Sequence, residues 1–80
     1  MTKETIRTVL LQEISAEIAI PPADIDDQAS FMRLGVSSVQ ALKIISRLRK
    51  QLALDINPVA LFEFKTVDDI SEYLAEEAAA

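Results

Sequence analysis

The chain has 80 residues, half of them apolar, with a net charge of −5, one glycine, three prolines and neither cysteine nor histidine. That length allows one domain with a modest core, burying roughly 60% of the surface its unfolded chain exposes, and the apolar content excludes intrinsic disorder. Without thiols or imidazoles there is no disulfide framework, no thiolate zinc site and no usual general base, so an independent hydrolase or metalloenzyme is not expected.

The acidic balance argues against a nucleic-acid binder, which needs clustered positive charge. The apolar runs are too short to span a bilayer, and Met1-Thr2-Lys3-Glu4 lacks the apolar stretch of a signal peptide. A cytoplasmic protein with no membrane or nucleic-acid partner is the expectation.

Residues 3–19 predict a helix, because Ile6, Leu10, Ile14 and Ile18 recur at i+4, joined by Val9 and Leu11. Pro21-Pro22 is expected to end it. A long connection follows, from about Ile20 to Ser37, with Asp24, Asp26 and Asp27 in its first half. Connections of that length in small domains are commonly functional. Ile25, Phe31, Met32 and Leu34 are expected to pin it to the core.

A second helix is predicted from about Ser38 to Leu52. Asn57-Pro58 reads as an N-cap followed by proline at the first helical position, opening a short helix through Phe62. Thr66, with Asp69 three residues on, resembles a capping box that opens a last helix striped by Val67, Ile70 and Leu74. The tail, residues 76–80, is expected to fray or run into a linker. No repeat and no period-two strand is evident. The fold class is all-α: a single domain over residues 1–80, a small four-helix bundle of three longer helices and one short one, with the long loop between the first two.

Within Phe31-Met32-Arg33-Leu34-Gly35-Val36-Ser37-Ser38-Val39 a short loop delivers two serines to a helix start. With Ser37 as N-cap, Gln40 falls at N3 and completes Ser-x-x-Gln, a capping box; with Ser38 as cap, Ala41 falls at N3 and no box forms. Ser37 is thus assigned to the backbone, and Ser38 is left with a free hydroxyl as the candidate for chemistry. A serine without a base is a poor catalyst but a good attachment point for a phosphate-linked group, since a helix N-terminus favours a phosphodiester.

On a helical wheel, Ala41, Ile44, Ile45, Leu48 and Leu52 fall on one side and are expected to face the core. Val39 falls opposite, with Lys43, Ser46, Arg47 and Lys50 around it. Four of the eight basic residues, Lys43, Arg47, Arg49 and Lys50, lie on this helix of an otherwise acidic chain. Val39, Lys43, Arg47 and Lys50 are therefore a candidate docking face for partner enzymes.

The chain resembles the acyl and peptidyl carrier protein family over nearly its whole length. Phe31-x-x-Leu34-Gly35-x-x-Ser38-Val39 is similar to the family's F-x-x-L-G-x-D/H-S-L/I/V attachment motif, and Arg47-Leu48-Arg49 follows on the same helix. Asn57 through Val67 resembles the short third helix and the entry to the fourth, where many carriers read L-F-x-x-P-T-V/I. The resemblance implies 4′-phosphopantetheine, attached covalently to Ser38 by a phosphopantetheinyl transferase from coenzyme A with Mg²⁺. The arm's thiol then holds thioester intermediates. The carrier is implied to be non-catalytic and to visit a ketosynthase, an acyltransferase or other synthase domains. A monomer is expected because the predicted stripes can all be satisfied within one bundle, and no metal is expected without cysteine or histidine.

Ser37 departs from the family pattern, which has Asp or His before the attachment serine. The basic second helix also departs from the acidic one usual in fatty acid synthesis, and so points toward a modular assembly line. Leu34-Gly35-Val36 is more like polyketide carriers, and the runs around Ser38 and Asn57 are similar to carriers of bacterial polyketide synthases. The expected function is an acyl carrier domain of a polyketide or hybrid polyketide/peptide synthase. A peptidyl carrier of a nonribosomal peptide synthetase and an unmodified carrier-like interaction module are the alternatives.

Overall fold

The structure is a computed structural model, and it describes residues 2–57 and 59–79. Thr2 starts the first helix, α1 (Lys3–Ile18), its hydroxyl accepting the N–H of Thr5 at 3.2 Å. Ile6, Leu10, Leu11 and Ile14 of α1 are buried, while Val9 and Ile18 pack partly buried at the edge of the core. The helix ends before the prolines are reached: Ala19 turns left-handed at φ 59°, and its N–H donates to the Ser15 carbonyl at 2.9 Å.

The long connection has more structure than its sequence promised. It contains a 3₁₀ turn at Pro22–Asp24 and a one-turn helix, α2 (Phe31–Leu34), so the bundle carries two short α-helices rather than one. Ile25, Ala29, Phe31 and Val36 are buried and Leu34 is half-buried against the core. Met32 was expected to help pin this segment, but it is 86% exposed. Phe31 and Leu34 are three apart and share the inward face of the turn, which sends Met32 outward.

Polar bonds secure the same segment. Arg7 Nε on α1 lies 2.9 Å from Asp27 Oδ2, Asp68 N–H donates to the Asp27 carbonyl at 3.0 Å, and Phe31 N–H donates to the Lys65 carbonyl at 2.9 Å. Ser30 and Thr66 form an isolated antiparallel bridge, and the described residues include no strand.

Next comes α3 (Ser38–Leu52), with Ala41, Ile44, Ile45, Leu48 and Leu52 buried as the wheel predicts. Its last turn holds Arg49 and Lys50, favourable at the negative end of the helix dipole. Asn57 Oδ1 accepts the N–H of Val59 at 3.0 Å and leads into α4 (Ala60–Glu63); Pro58, expected to be the first helical residue, lies outside the described residues. Thr66 caps α5 (Val67–Ala79), its hydroxyl accepting the N–H of Asp69 at 3.1 Å. Residues 76–79, where fraying or a run into a linker is expected, continue α5; Ala80 lies outside the described residues.

α1 packs against both α3 and α5. Ile6, Leu10, Ile14, Ile44, Ile45, Leu48, Ile70 and Leu74 are essentially inaccessible to water where the three long helices meet, each contributing about 1.5–3 kcal/mol of burial. Phe64 stacks on Tyr73, ring centroids 4.4 Å apart, and closes the corner between α4 and α5.

Candidate functional site

The turn from Phe31 to Ser37 decides how the serine pair is presented. At the end of α2, Gly35 is left-handed at φ 89°; its N–H donates to the Met32 carbonyl at 3.1 Å, and Val36 N–H donates to the Phe31 carbonyl at 2.9 Å. These two bonds and the buried Phe31–Val36 pair make a Schellman closure, which reverses the chain within one residue. A residue other than glycine at that φ would carry strain. With Val36 anchored, Ser37 is extended and becomes the N-cap of α3.

Ser37 Oγ accepts the N–H of Gln40 at 3.2 Å, and Gln40 Oε1 accepts the N–H of Ser37 at 2.9 Å, forming the reciprocal capping box. Gln40 Nε2 also reaches the Glu17 carbonyl near the end of α1 at 3.4 Å. The Ser37 oxygen is thereby committed to the backbone. Ser38, the first residue of α3, is exposed, and among the described residues its hydroxyl has no hydrogen-bond partner.

Ser38 opens onto a cleft of about 440 Å³ between α2, the start of α3 and α4. Phe31, Val36, Ala41 and Leu61 form much of its wall, and Lys65 lies along it. Met32 and Phe62 line the cleft too and are largely exposed, while Val39, 63% exposed, and Leu42, 48% exposed, follow Ser38 on α3. Leu42 is not among the residues expected on this face. Its position, four residues after Ser38 and so on the same side of the helix, is the signal that marks it.

The basic residues of α3 separate into two groups. Lys43 and Lys50 are exposed and have no ion-pair partner among the described residues. Arg47, expected to stand with them, is turned toward α1: its Nη2 lies 2.9 Å from Glu17 Oε1 and its Nε bonds to Glu13. Both carboxylates hold the guanidinium above its ordinary pKa, Glu13 most strongly. On the wheel Arg47 lies between Lys43 and the core stripe, so the surface of the neighbouring helix settles which way it points.

The first turn of α3 has no acidic residue. The N–H groups of Ser38 and Val39 meet no acceptor among the described residues, as expected at a helix start. The described residues contain no cluster of carboxylates suited to a metal ion, and no helix among them is long and apolar enough to cross a membrane. An exposed, unpartnered hydroxyl on a rigid helix end, beside an open and largely apolar cleft, fits a phosphate-linked group with a long arm.

An all-helical bundle with a serine presented in this way has the architecture of a carrier domain. The family described as phosphopantetheine attachment site matches residues 8–74, and the chain belongs to that family, whose cofactor is covalently attached 4′-phosphopantetheine.

Two relatives are polyketide synthases. The chain is 33% identical over 72 residues to non-reducing polyketide synthase 1 of Elsinoe fawcettii, which covers 90% of this chain and 3% of that protein. It is 31% identical over 67 residues to the conidial pigment polyketide synthase of Aspergillus fumigatus, covering 84% of this chain and 3% of that protein. The chain thus spans a few hundredths of the length of these relatives. Among solved structures, a free-standing peptidyl carrier protein from an uncharacterized Acinetobacter baumannii secondary metabolic pathway superposes with a TM-score of 0.90 at 25% identity, covering 96% of both chains.

Proposed function

We propose that Ser38 bears the phosphopantetheine, and that the chain, as one carrier domain over residues 1–80, shuttles thioester-bound intermediates among the catalytic domains of a polyketide or hybrid polyketide/peptide synthase. One observation carries the choice of serine: the Ser37 oxygen is engaged in its cap, while the adjacent Ser38 hydroxyl is exposed and unpartnered beside the cleft. The polyketide setting is supported by the synthases to which the chain is related.

On this reading the cofactor supplies the thiol that the sequence lacks, and the protein's residues anchor and present it. Gln40 and Ser37 fix the helix end, and the cleft gives the arm an apolar surface to lie against. Val39, Lys43 and Lys50, joined by Leu42, form the face on which a phosphopantetheinyl transferase, a ketosynthase, an acyltransferase and other synthase domains dock. Arg47 borders that face while bonded to α1. The chain contributes no catalytic group of its own and acts as a monomer, since its three long stripes are satisfied within one bundle. Coenzyme A and the transferase must reach Ser38, which supports a cytoplasmic setting.

The structural likeness to a peptidyl carrier favours a second reading, loading with an amino acid by an adenylation domain. Intact mass after incubation with coenzyme A, Mg²⁺ and a promiscuous transferase tests both. A gain of one phosphopantetheine that persists in Ser37→Ala and vanishes in Ser38→Ala establishes the site. Charging of that holo protein by an acyltransferase or by an adenylation domain then separates the two pathways. A folded protein that gains no mass with either of two transferases refutes attachment and leaves an unmodified interaction module.

A further inference from the structure

We propose that Lys65 is the counter-ion of the phosphodiester on Ser38, a positioning residue that holds the base of the arm along the cleft. The inference rests on the attachment reading above. Lys65 and Ser38 line the same cleft, and among the described residues Lys65 is the one charged group of its wall. The rest of that wall is apolar or hydroxylic, so no other charged side chain of the cleft competes with Lys65 for the phosphate.

Lys65 is well placed to do this because its backbone is fixed while its charge is free. Its carbonyl accepts the N–H of Phe31, the first residue of α2, and the next residue, Thr66, caps α5. Its side chain is exposed, and among the described residues no carboxylate lies within ion-pair distance of it. Several other cations are committed: Lys3 to Asp68, Arg7 to Asp27, Arg47 to Glu13 and Glu17, and Arg49 to Asp55. Lys43 and Lys50 are free but do not line the cleft.

The other side of the site does not offset this charge. The N-cap of α3 is the neutral Ser37–Gln40 box, and no acidic residue stands in the first turn. A phosphodiester keeps one negative charge at neutral pH, and a lysine ammonium pairs with it as a point charge on a long, adaptable stem. A phosphate bonded to Ser38 Oγ therefore meets a cation across a cleft it already faces, and the first bonds of the arm are biased toward the α2–α4 wall instead of sweeping through solvent.

Phosphorus-31 NMR of the holo protein tests this, after intact mass has shown that one phosphopantetheine is present. Wild type, Lys65→Met and Lys65→Arg are compared from low to high salt, with amide spectra to show that each variant keeps the fold. The expected result is a phosphorus resonance in wild type that moves with salt toward the Lys65→Met position, a Lys65→Met resonance that has lost this salt dependence, and a Lys65→Arg resonance that keeps it. Identical shifts and salt profiles in all three loaded proteins overturn the inference while leaving attachment intact. A Lys65 dependence that appears only with a carboxylate-bearing acyl group on the thiol also overturns it, and assigns the cation to cargo instead. A wild-type protein that takes up no arm overturns the attachment reading itself.

Discussion

Arg47 and Glu17 meet across the seam between α1 and α3, Nη2 to Oε1 at 2.9 Å, and the same guanidinium is bonded to Glu13. The two carboxylates are only 15% and 13% exposed, so removing Arg47 strands two half-desolvated charges. The Arg47 side chain is itself 39% exposed, which places the cost between that of a surface pair and that of a buried one. Arg47→Met is expected to lower stability by about 2 kcal/mol in urea unfolding, with partial recovery when Glu13→Gln and Glu17→Gln are added. Lys43→Glu and Lys50→Glu are expected to leave stability within about 0.5 kcal/mol while changing the rate of modification by a transferase.

The Ser37–Gln40 box holds the residue before the attachment serine. Ser37→Ala and Gln40→Ala are each expected to cost about 1 kcal/mol in chemical unfolding. Gln40→Glu keeps an oxygen for the Ser37 N–H but has no amide to donate to the Glu17 carbonyl, and so falls between wild type and Gln40→Ala. Hydrogen exchange at the Ser37 amide reads the box directly. Exchange should accelerate in Gln40→Ala and stay slow in Gln40→Glu.

Among the described residues three are left-handed: Ala19 at φ 59°, Gly35 at φ 89° and Ala53 at φ 53°. A Cβ at Gly35 would meet nothing within 4 Å, so Gly35→Ala carries backbone strain alone and is expected to cost about 1–2 kcal/mol. Ala19→Gly and Ala53→Gly relieve the same strain against the added freedom of the unfolded chain, for a net gain of up to about 1 kcal/mol each. Thermal midpoints that fall in the first variant and rise in the other two are the check.

Lys3 Nζ lies 2.8 Å from Asp68 Oδ1, joining the start of α1 to the start of α5. The pair holds the Asp68 carboxyl below its ordinary pKa of 3.8 and the Lys3 ammonium above its ordinary 10.5. The depressed carboxyl contributes stability that is complete above pH 3.8 and is lost as pH falls through the lower folded value. The raised ammonium contributes below pH 10.5 and loses its share as pH rises through its higher folded value. The difference in thermal midpoint between wild type and Asp68→Asn should therefore be flat through neutral pH and collapse at both extremes.

Ser71 on α5 is completely buried, and its hydroxyl has no partner among the described residues. An unsatisfied buried hydroxyl is destabilising. Ser71→Ala removes it with little change in volume and is expected to raise stability by about 1 kcal/mol in urea unfolding.

Much of this molecule is legible along the chain because the rules that produce it are local. The i+4 run from Ile6 to Ile14 and the stripe from Ala41 to Leu52 follow from helical period alone, and the Ser37–Gln40 box needs only a spacing of three. The all-α class and the carrier resemblance follow from such signals. The motif predicts a short loop before the serine pair, but the Schellman closure at Gly35 depends on Phe31 and Val36 being buried together.

What the chain order does not encode is the direction taken by residues at the border of a face. Met32 and Phe31 are both apolar neighbours, and a single helical turn in an otherwise irregular loop sends one out and the other in. Arg47 stands between the basic face and the core stripe, and the carboxylates of α1 decide its direction. Lys65 reaches the same cleft as Ser38 although 27 residues separate them in the chain. Helical period and caps depend on a few adjacent peptide units, so the sequence alone carries them. Arg47, Met32 and Lys65 depend on surfaces from distant segments, and those come together only when the bundle packs.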